Sequence, residues 1–228
     1  MIPKLLTTSL AAGAAALGFA AAAHAATLPV PSDPAFAVPQ GKIEHTIVEQ
    51  QVSGSKALAS RTRTETWLTA THSHTLVYDA ATGKLTAETS STPTEVRAWT
   101  AEDGVIEVER RKTPGPLIEN STEFEAAVQK AYLEQGITRV IGETTVGGRR
   151  ALVTESVPEK WRTDESSQRT TAVVDALTYT LYSRTSTLPN GAFTQTQTWR
   201  SELLDGAQSS GRAKMAMKRH AGAKIRRR

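Results

Sequence analysis

Short runs that mix polar and apolar residues and are rich in Thr, Val and Arg, separated by turn residues, make up the chain from about Ile43 to Leu204. Glycine-containing pairs such as Thr82-Gly83 and Asp103-Gly104 stand between these stretches. Stretches of about six to ten residues between such turns predict antiparallel strands, because Gly and Asn accept the positive φ of tight hairpins. The predicted strands cover residues 44–52, 61–71, 74–79, 84–90, 95–100, 105–111, 137–146, 149–157, 169–175, 179–188 and 192–203.

One segment, residues 119–136, has helical periodicity instead. Asn120, Ser121 or Thr122 can cap the start of a helix, and Gly136 stands where a left-handed stop belongs. The pattern predicts an α+β protein with about 11 strands in one large antiparallel sheet and one main helix, about residues 121–135, packed on it. The apolar residues that recur at three- and four-residue steps in the helix are Phe124, Ala127, Val128, Ala131 and Tyr132.

The first 25 residues have the layout of a secretory signal. Lys4 precedes a long stretch rich in Ala, Leu and Gly, which closes on the cleavage pattern Ala23-His24-Ala25. We therefore expect cleavage near Ala25 and export to the periplasm, the cell envelope or the medium. The chain has no cysteine, which excludes disulfides, thiolate metal sites and a lipid-modified cysteine. It is therefore not expected to be a lipoprotein.

The mature chain divides into three parts by composition: a Pro-rich lead-in (26–42), the domain (43–205) and a basic tail (206–228). Residues 26–205 hold 18 basic and 23 acidic residues, so the positive net charge of the chain comes from the tail. Eight like charges without acidic residues among them predict disorder and contact with an anionic membrane surface or an acidic envelope partner. The export signal argues against nucleic acid. The predicted contacts are Arg212, Lys214, Lys218, Arg219, Lys224, Arg226, Arg227 and Arg228.

Three passages, YDAATGKL (78–85), residues 131–158 and VVDALTYTLYSR (173–184), carry a family resemblance. Together they resemble the LolA/LolB/RseB superfamily of exported lipoprotein carriers and envelope sensors, over about residues 78–200. The third passage matches through Asp175, Thr178 and Arg184, which serve there to shape a strand–turn–strand unit. The resemblance implies a strongly curved antiparallel sheet, a half-open barrel, with helices as a lid. The Pro-rich lead-in takes the place of the N-terminal helix with which such carriers usually open.

Catalytic machinery is not evident in the sequence. His72 and His74 are spaced so that two imidazoles on one strand could share a metal ion, which keeps a metal-dependent hydrolase as a weak alternative. Serine-nucleophile and phosphate-binding motifs are missing. We expect neither an enzyme nor a cofactor.

The tryptophans are the candidate ligand contacts, because an aromatic ring on a strand either belongs to the core or lines a pocket. Polar residues occur on both faces of several predicted strands, which favours a smaller or more polar cavity than an acyl-chain carrier needs. The sequence predicts a binding protein that carries or senses a lipid or a lipidated ligand. The alternative is a regulatory or structural envelope protein that binds a protein partner, in the manner of an anti-sigma regulator. The candidate contacts are Trp67, Trp99, Trp161 and Trp199.

Overall fold

The computed structural model describes residues 28–29, 33–54, 59–111, 121–157, 168–188, 193–206, 215–218 and 220–227. The predicted signal peptide, Trp161 and the Pro189-Asn190-Gly191 turn lie outside these residues, as do four of the eight basic tail residues. The domain boundaries therefore stay predictions.

Twelve strands, one α-helix and one short 3₁₀ helix (Pro34–Phe36) make up the described structure. The helix α1 spans Thr122–Glu134 and stands between strands β6 and β7. The strands are β1 (Lys42–Gly54), β2 (Ser60–Leu68), β3 (Ser73–Asp79), β4 (Leu85–Ser91), β5 (Glu95–Thr100), β6 (Val105–Arg110), β7 (Thr138–Val146), β8 (Arg149–Ser156), β9 (Arg169–Asp175), β10 (Leu181–Thr187), β11 (Phe193–Asp205) and β12 (Lys224–Arg227).

All twelve strands belong to one curved sheet that does not close on itself. Their order is β12-β6-β5-β4-β3-β2-β1-β11-β10-β9-β8-β7, so the two longest strands of the described residues, β1 and β11, lie side by side near the centre. Every neighbouring pair is antiparallel except β12 and β6, which run parallel. The predicted α+β half-barrel is confirmed, with one strand more than the pattern indicated.

The sheet has two faces because successive side chains of a strand point to opposite sides. We call the face that carries Val48, Thr64 and Trp199 the groove face, since these residues line the groove described below. The opposite face, which carries Trp67 and Leu76, is the tail face, because the C-terminal segment packs on it. Val48 pairs with both Trp199 and Thr64 in the strand register, which places the three on one face.

Each face has its own small apolar core. Ile43, Trp67 and Leu76 are buried together on the tail face, and Met215 from the tail packs against them. The buried cluster on the groove face has smaller side chains, and Trp199 packs against its margin. Its members are Ala172, Val174 and Leu181.

Helix α1 begins and ends where the sequence predicted. The Ser121 hydroxyl caps the start by accepting the Phe124 N–H at 3.1 Å, and Gly136 follows the end with a φ of 69°. The fully buried helical positions are Ala126, Gln129 and Ala131, whereas most of the predicted stripe is only half-buried. The helix packs against β10 and β7, and the side that it buries differs from the predicted stripe at Ala126 and Gln129.

The β9–β10 hairpin contains Asp175 and Thr178, two of the residues that carry the family resemblance. Asp175 Oδ1 accepts the N–H groups of Leu177 and Thr178, both at 2.9 Å, and its Oδ2 accepts the Tyr182 hydroxyl at 2.8 Å. The Arg149 guanidinium lies 2.8 Å from Oδ2. Burial raises the pKa of the Asp175 carboxyl, but the Thr178 N–H, the Tyr182 hydroxyl and the Leu177 N–H outweigh it, so the pKa lies well below 3.8.

The tail differs from the expected disordered segment. Lys224–Arg227 forms strand β12, whose register places Ile225 opposite Ile106 and Arg226 opposite Glu107. The Arg226 guanidinium lies 3.1 Å from the Glu107 carboxylate. One basic residue of the tail thus faces an acidic residue of the body, a pairing that the tail's own composition does not reveal.

Candidate functional site

An open groove of about 1230 Å³ lies between the groove face of the sheet, the start of helix α1 and the lead-in. Strands β1, β2, β10 and β11 form its floor, and α1 and the residues around the 3₁₀ helix form one wall. Cavities of this size are large enough for a small organic molecule or part of a lipid chain. The groove is therefore the candidate binding site.

The centre of the groove floor is apolar. Val48 on β1 lies directly opposite Trp199 on β11, and both are half-buried. Val77 and Leu181 extend the apolar lining to the two sides. Around this centre the floor is formed by hydroxyl groups, since β-branched threonine suits a pleated surface and keeps one polar atom exposed. These hydroxyl residues are Thr46, Thr62, Thr64 and Thr66.

One end of the floor is an amide cluster. The Gln50 Oε1 accepts the side-chain N–H groups of Gln195 at 2.8 Å and Gln197 at 2.9 Å. Because one acceptor satisfies two donors, the spare polar atoms of these amides remain available to a ligand or to water. This end of the groove can therefore accept a polar group.

The other end of the floor is a buried carboxylate at the start of α1. Glu44 is 6 % exposed, and its Oε1 accepts the backbone N–H of Thr122 at 2.8 Å and the Thr122 hydroxyl at 2.5 Å. A carboxylate at a helix N-terminus is stabilised by the unpaired N–H groups and the helix dipole. Glu44 thus ties α1 to the central strand β1.

A second tie joins the helix to the sheet. The Arg184 guanidinium lies 2.5 Å from the Glu125 carboxylate of α1 and 5.5 Å from the centre of the Trp199 ring. Arg184 therefore links three parts of the groove: the helix, strand β10 and the aromatic ring on the floor. Arg184 is one of the residues that carry the family resemblance. Besides its predicted role in the strand–turn–strand unit, it contacts α1.

The lead-in supplies the remaining wall. The Phe36 ring packs edge-on against Phe124 of α1, with ring centres 5.6 Å apart, and Val38 is 5 % exposed. Asp33 caps the 3₁₀ helix by accepting the Ala35 N–H at 2.9 Å. The lead-in therefore lies beside the groove entrance.

The three tryptophans that the structure describes are not brought together. Trp199 lines the groove, whereas Trp67 is 3 % exposed in the tail-face core and Trp99 stacks on His220 of the tail. Trp161 lies outside the described residues. Trp67 and Trp99 are thus on the far side of the sheet from the groove, because their positions along β2 and β5 have the opposite parity to Thr64 and its groove-face neighbours.

The two candidate metal ligands also separate. His72 precedes β3, is exposed and lies 3.0 Å from the Thr71 hydroxyl, whereas His74 is buried and lies 2.7 Å from Glu88. Over the described ranges, the structure shows no group of three or more His, Cys, Asp or Glu residues placed to hold a metal ion. One imidazole of the pair is thus exposed to solvent, and the other is buried against Glu88.

Several groove residues were missed by the sequence analysis. Val48, Glu44 and Gln50 occupy even positions along β1, and that parity could have placed the three on one face of the strand. Their pairing with β11, more than 140 residues away in the chain, has no local sequence signal.

Comparisons with known proteins concern the fold. No protein-family model matches the sequence, and no curated protein matches it. A conserved protein from Thermus thermophilus is similar in structure, with 8% identity over 82% of this chain and 90% of that one, at a TM-score of 0.45. The MucB chain of the Pseudomonas aeruginosa MucA/MucB complex is 15% identical over 78% of this chain, at a TM-score of 0.43.

A LolA superfamily protein from Nitrosomonas europaea is also similar, with 8% identity over 80% of this chain and 94% of that one, at a TM-score of 0.29. The chain spans about 56% of the length of MucB.

Membrane-spanning helices were sought in the part of the chain that the structure describes. None of its helices is both long enough and apolar enough to cross a bilayer.

Proposed function

We propose that this chain is an exported, non-catalytic binding protein whose groove holds an amphipathic ligand, either a lipid or a lipidated chain. The observation that carries the proposal is the groove itself, an open cavity of about 1230 Å³ with an apolar centre and two polar ends. The signal-like residues 1–25 support export.

The distribution of polar groups along the groove favours an amphipathic ligand over a fully apolar one. Val48 and Trp199 offer apolar contact at the centre, while the Gln50 amide cluster and the ring of threonine hydroxyls offer hydrogen bonds around it. A long saturated chain would remove the hydroxyl groups from water without replacing their hydrogen bonds, which costs free energy. A short or single acyl chain with a polar head satisfies both parts of the floor.

A titration with a fluorescent single-chain amphiphile tests the proposal. We expect the mature protein to bind 11-(dansylamino)undecanoic acid with a stoichiometry of about one and a Kd in the micromolar range, because one short chain fills the apolar centre. Energy transfer from tryptophan to the dansyl group reports the binding. A failure to observe saturable transfer would contradict the proposal and favour the alternative, a regulatory protein that binds only a protein partner.

We also propose that the tail contacts an anionic surface. Four of its basic residues are described, and all four are exposed while the tail is packed on the sheet. Their charges are therefore available to anionic head groups without unfolding the tail, and each basic residue near such a surface contributes about 1 kcal/mol. The four are Lys218, Lys224, Arg226 and Arg227.

Vesicle binding separates the tail's contribution from that of the body. The double variant Lys224→Glu/Arg227→Glu is expected to bind vesicles containing phosphatidylglycerol at least about tenfold more weakly than the unmodified protein at low salt. Lys84→Glu/Lys130→Glu is the matched control, because it reverses two exposed cations outside the tail. Equal weakening by the control would show that total charge, not the tail, drives binding.

A further inference from the structure

The C-terminal segment crosses the tail face of the sheet. We call residues 215–218 and 220–227 the strap. Met215 packs on the core formed by Ile43, Trp67 and Leu76, and the His220 ring stacks on Trp99 with ring centres 3.6 Å apart. The strap ends as strand β12 beside β6. It therefore contacts elements from β1 to β6 on one side of the sheet.

One carboxylate holds the middle of the strap. Glu88 on β4 is 0 % exposed. Its Oε1 lies 2.7 Å from both His74 Nε2 and the Lys218 backbone nitrogen, and its Oε2 lies 2.7 Å from His220 Nε2. A carboxylate only accepts hydrogen bonds, so both imidazoles donate an N–H to it. Two of these three donors, Lys218 and His220, come from the strap.

The burial of Glu88 makes this contact specific. A buried carboxylate is tolerated only when its lone pairs accept hydrogen bonds, and breaking such a set is strongly unfavourable. Without the strap, Glu88 keeps only the His74 donor among the contacts described above. The stacked Trp99 and His220 rings add a second attachment a few residues along. The strap is thus held by a defined site and not by general charge attraction.

The strands beneath the strap also carry the groove. Thr66 faces the groove and its neighbour Trp67 packs under the strap; Val77 faces the groove and Leu76 packs under the strap. Because adjacent residues of a strand point to opposite faces, the same backbone is held on one side and forms the binding floor on the other. A shift of β2 and β3 would therefore change the contacts on both faces of the sheet.

We propose that the strap is a built-in clamp: its docking on Glu88 fixes strands β2–β5 and so couples the state of the basic tail to ligand binding in the groove. This inference rests on the proposed function of the groove. When the strap is docked, the groove keeps the geometry described here. When the strap detaches, the strands relax and the groove binds its ligand more weakly, and ligand binding in turn favours the docked strap.

Two substitutions release the strap at its attachment, and a third serves as the control. Glu88→Gln replaces the buried acceptor, and His220→Ala removes both the donor and the ring that stacks on Trp99. Glu107→Gln removes the exposed ion-pair partner of Arg226 on the same strap and is matched in chemistry to Glu88→Gln. His220→Ala lies on the strap itself, so it tests the proposal even where Glu88→Gln fails to fold.

Hydrogen exchange and dansyl titration are then measured on the same full-length samples. We expect His220→Ala to speed backbone exchange in β2–β5 at least about tenfold and to weaken the binding of 11-(dansylamino)undecanoic acid at least about threefold, with Glu107→Gln unchanged in both. Faster exchange in the strap with unchanged exchange in β2–β5 would overturn the clamp. Unchanged probe affinity in a variant with fast exchange in β2–β5 would overturn the coupling.

The two proposals fail in different ways. If the unmodified protein does not bind the dansyl probe, the proposed function of the groove is contradicted. The exchange rates of β2–β5 in His220→Ala still decide whether the strap fixes the strands.

Discussion

Replacing Asp175 with Ala is expected to lower the free energy of unfolding by about 3 kcal/mol. The carboxylate is 2 % exposed and accepts two backbone N–H groups, the Tyr182 hydroxyl and the Arg149 guanidinium. Its loss leaves partly buried donors without an acceptor at a turn where Tyr179 has a φ of 60°. For a chain of this size, the melting temperature should fall by about 6–12 °C, as measured by circular dichroism.

The control for this variant is Asp79→Ala. Asp79 accepts the N–H groups of Ala81 and Thr82 in a similar turn between β3 and β4, but it is less buried, so we expect a much smaller loss. Equal losses for the two variants would show that the turn, and not the buried set of donors around Asp175, carries the stability.

The pH dependence provides an independent check. The pKa of Asp175 is lower in the folded chain than its ordinary value of 3.8, because the hydrogen bonds to the ionised form outweigh the effect of burial. Its contribution to stability is therefore present above that ordinary value and is lost as the pH falls toward the folded-state pKa. When the pH is lowered from neutral to acid, the free energy of unfolding of Asp175→Asn should therefore fall less than that of the unmodified chain.

Replacing Val48 with Asp is expected to weaken binding of the dansyl probe at least about tenfold, which corresponds to about 1.4 kcal/mol. Val48 lies opposite Trp199 at the apolar centre of the groove floor. A carboxylate at this point would have to be desolvated by the acyl chain, or would exclude the chain from the centre. The titration is measured by energy transfer from tryptophan.

The matched control is Val140→Asp. Val140 lies on the edge strand β7, is 49% exposed and does not line the groove. Both variants add one negative charge, so equal weakening would mean that the probe senses charge and not the groove. Val48→Thr keeps the shape and strand preference of Val48 and should weaken binding less, and Trp199→Phe should reduce the energy transfer.

The elements of this fold could be predicted from the sequence because local chemistry specifies them. Ser121 and Gly136 mark the two ends of α1, and the turn residues that bound the Thr- and Val-rich runs locate the strands to within a few residues. The turn of β9–β10 was predictable for the same reason, since the Asp175 side chain bonds to N–H groups two and three residues later.

The groove and the strap could not be predicted in this way. The groove depends on the pairing of Val48 with Trp199, and the strap depends on a contact between Glu88 and His220 that spans 132 residues. The residues next to Glu88 and His220 in the sequence form no distinctive pattern. The sequence alone therefore does not distinguish these two side chains from polar side chains that are exposed to solvent. The composition of the tail predicted disorder because the acidic residues that compensate its charge, such as Glu107, lie elsewhere in the sequence.

Native mass spectrometry of the mature protein, purified from its exported location and followed by organic extraction, tests the binding role most directly. Our account predicts a bound mass that disappears on denaturation and is recovered in the extract as a single-chain or short-chain amphiphile. We expect Val48→Asp to lose this mass and Val140→Asp to retain it. An unmodified protein with only its chain mass, together with no saturable binding of the dansyl probe, would contradict the account.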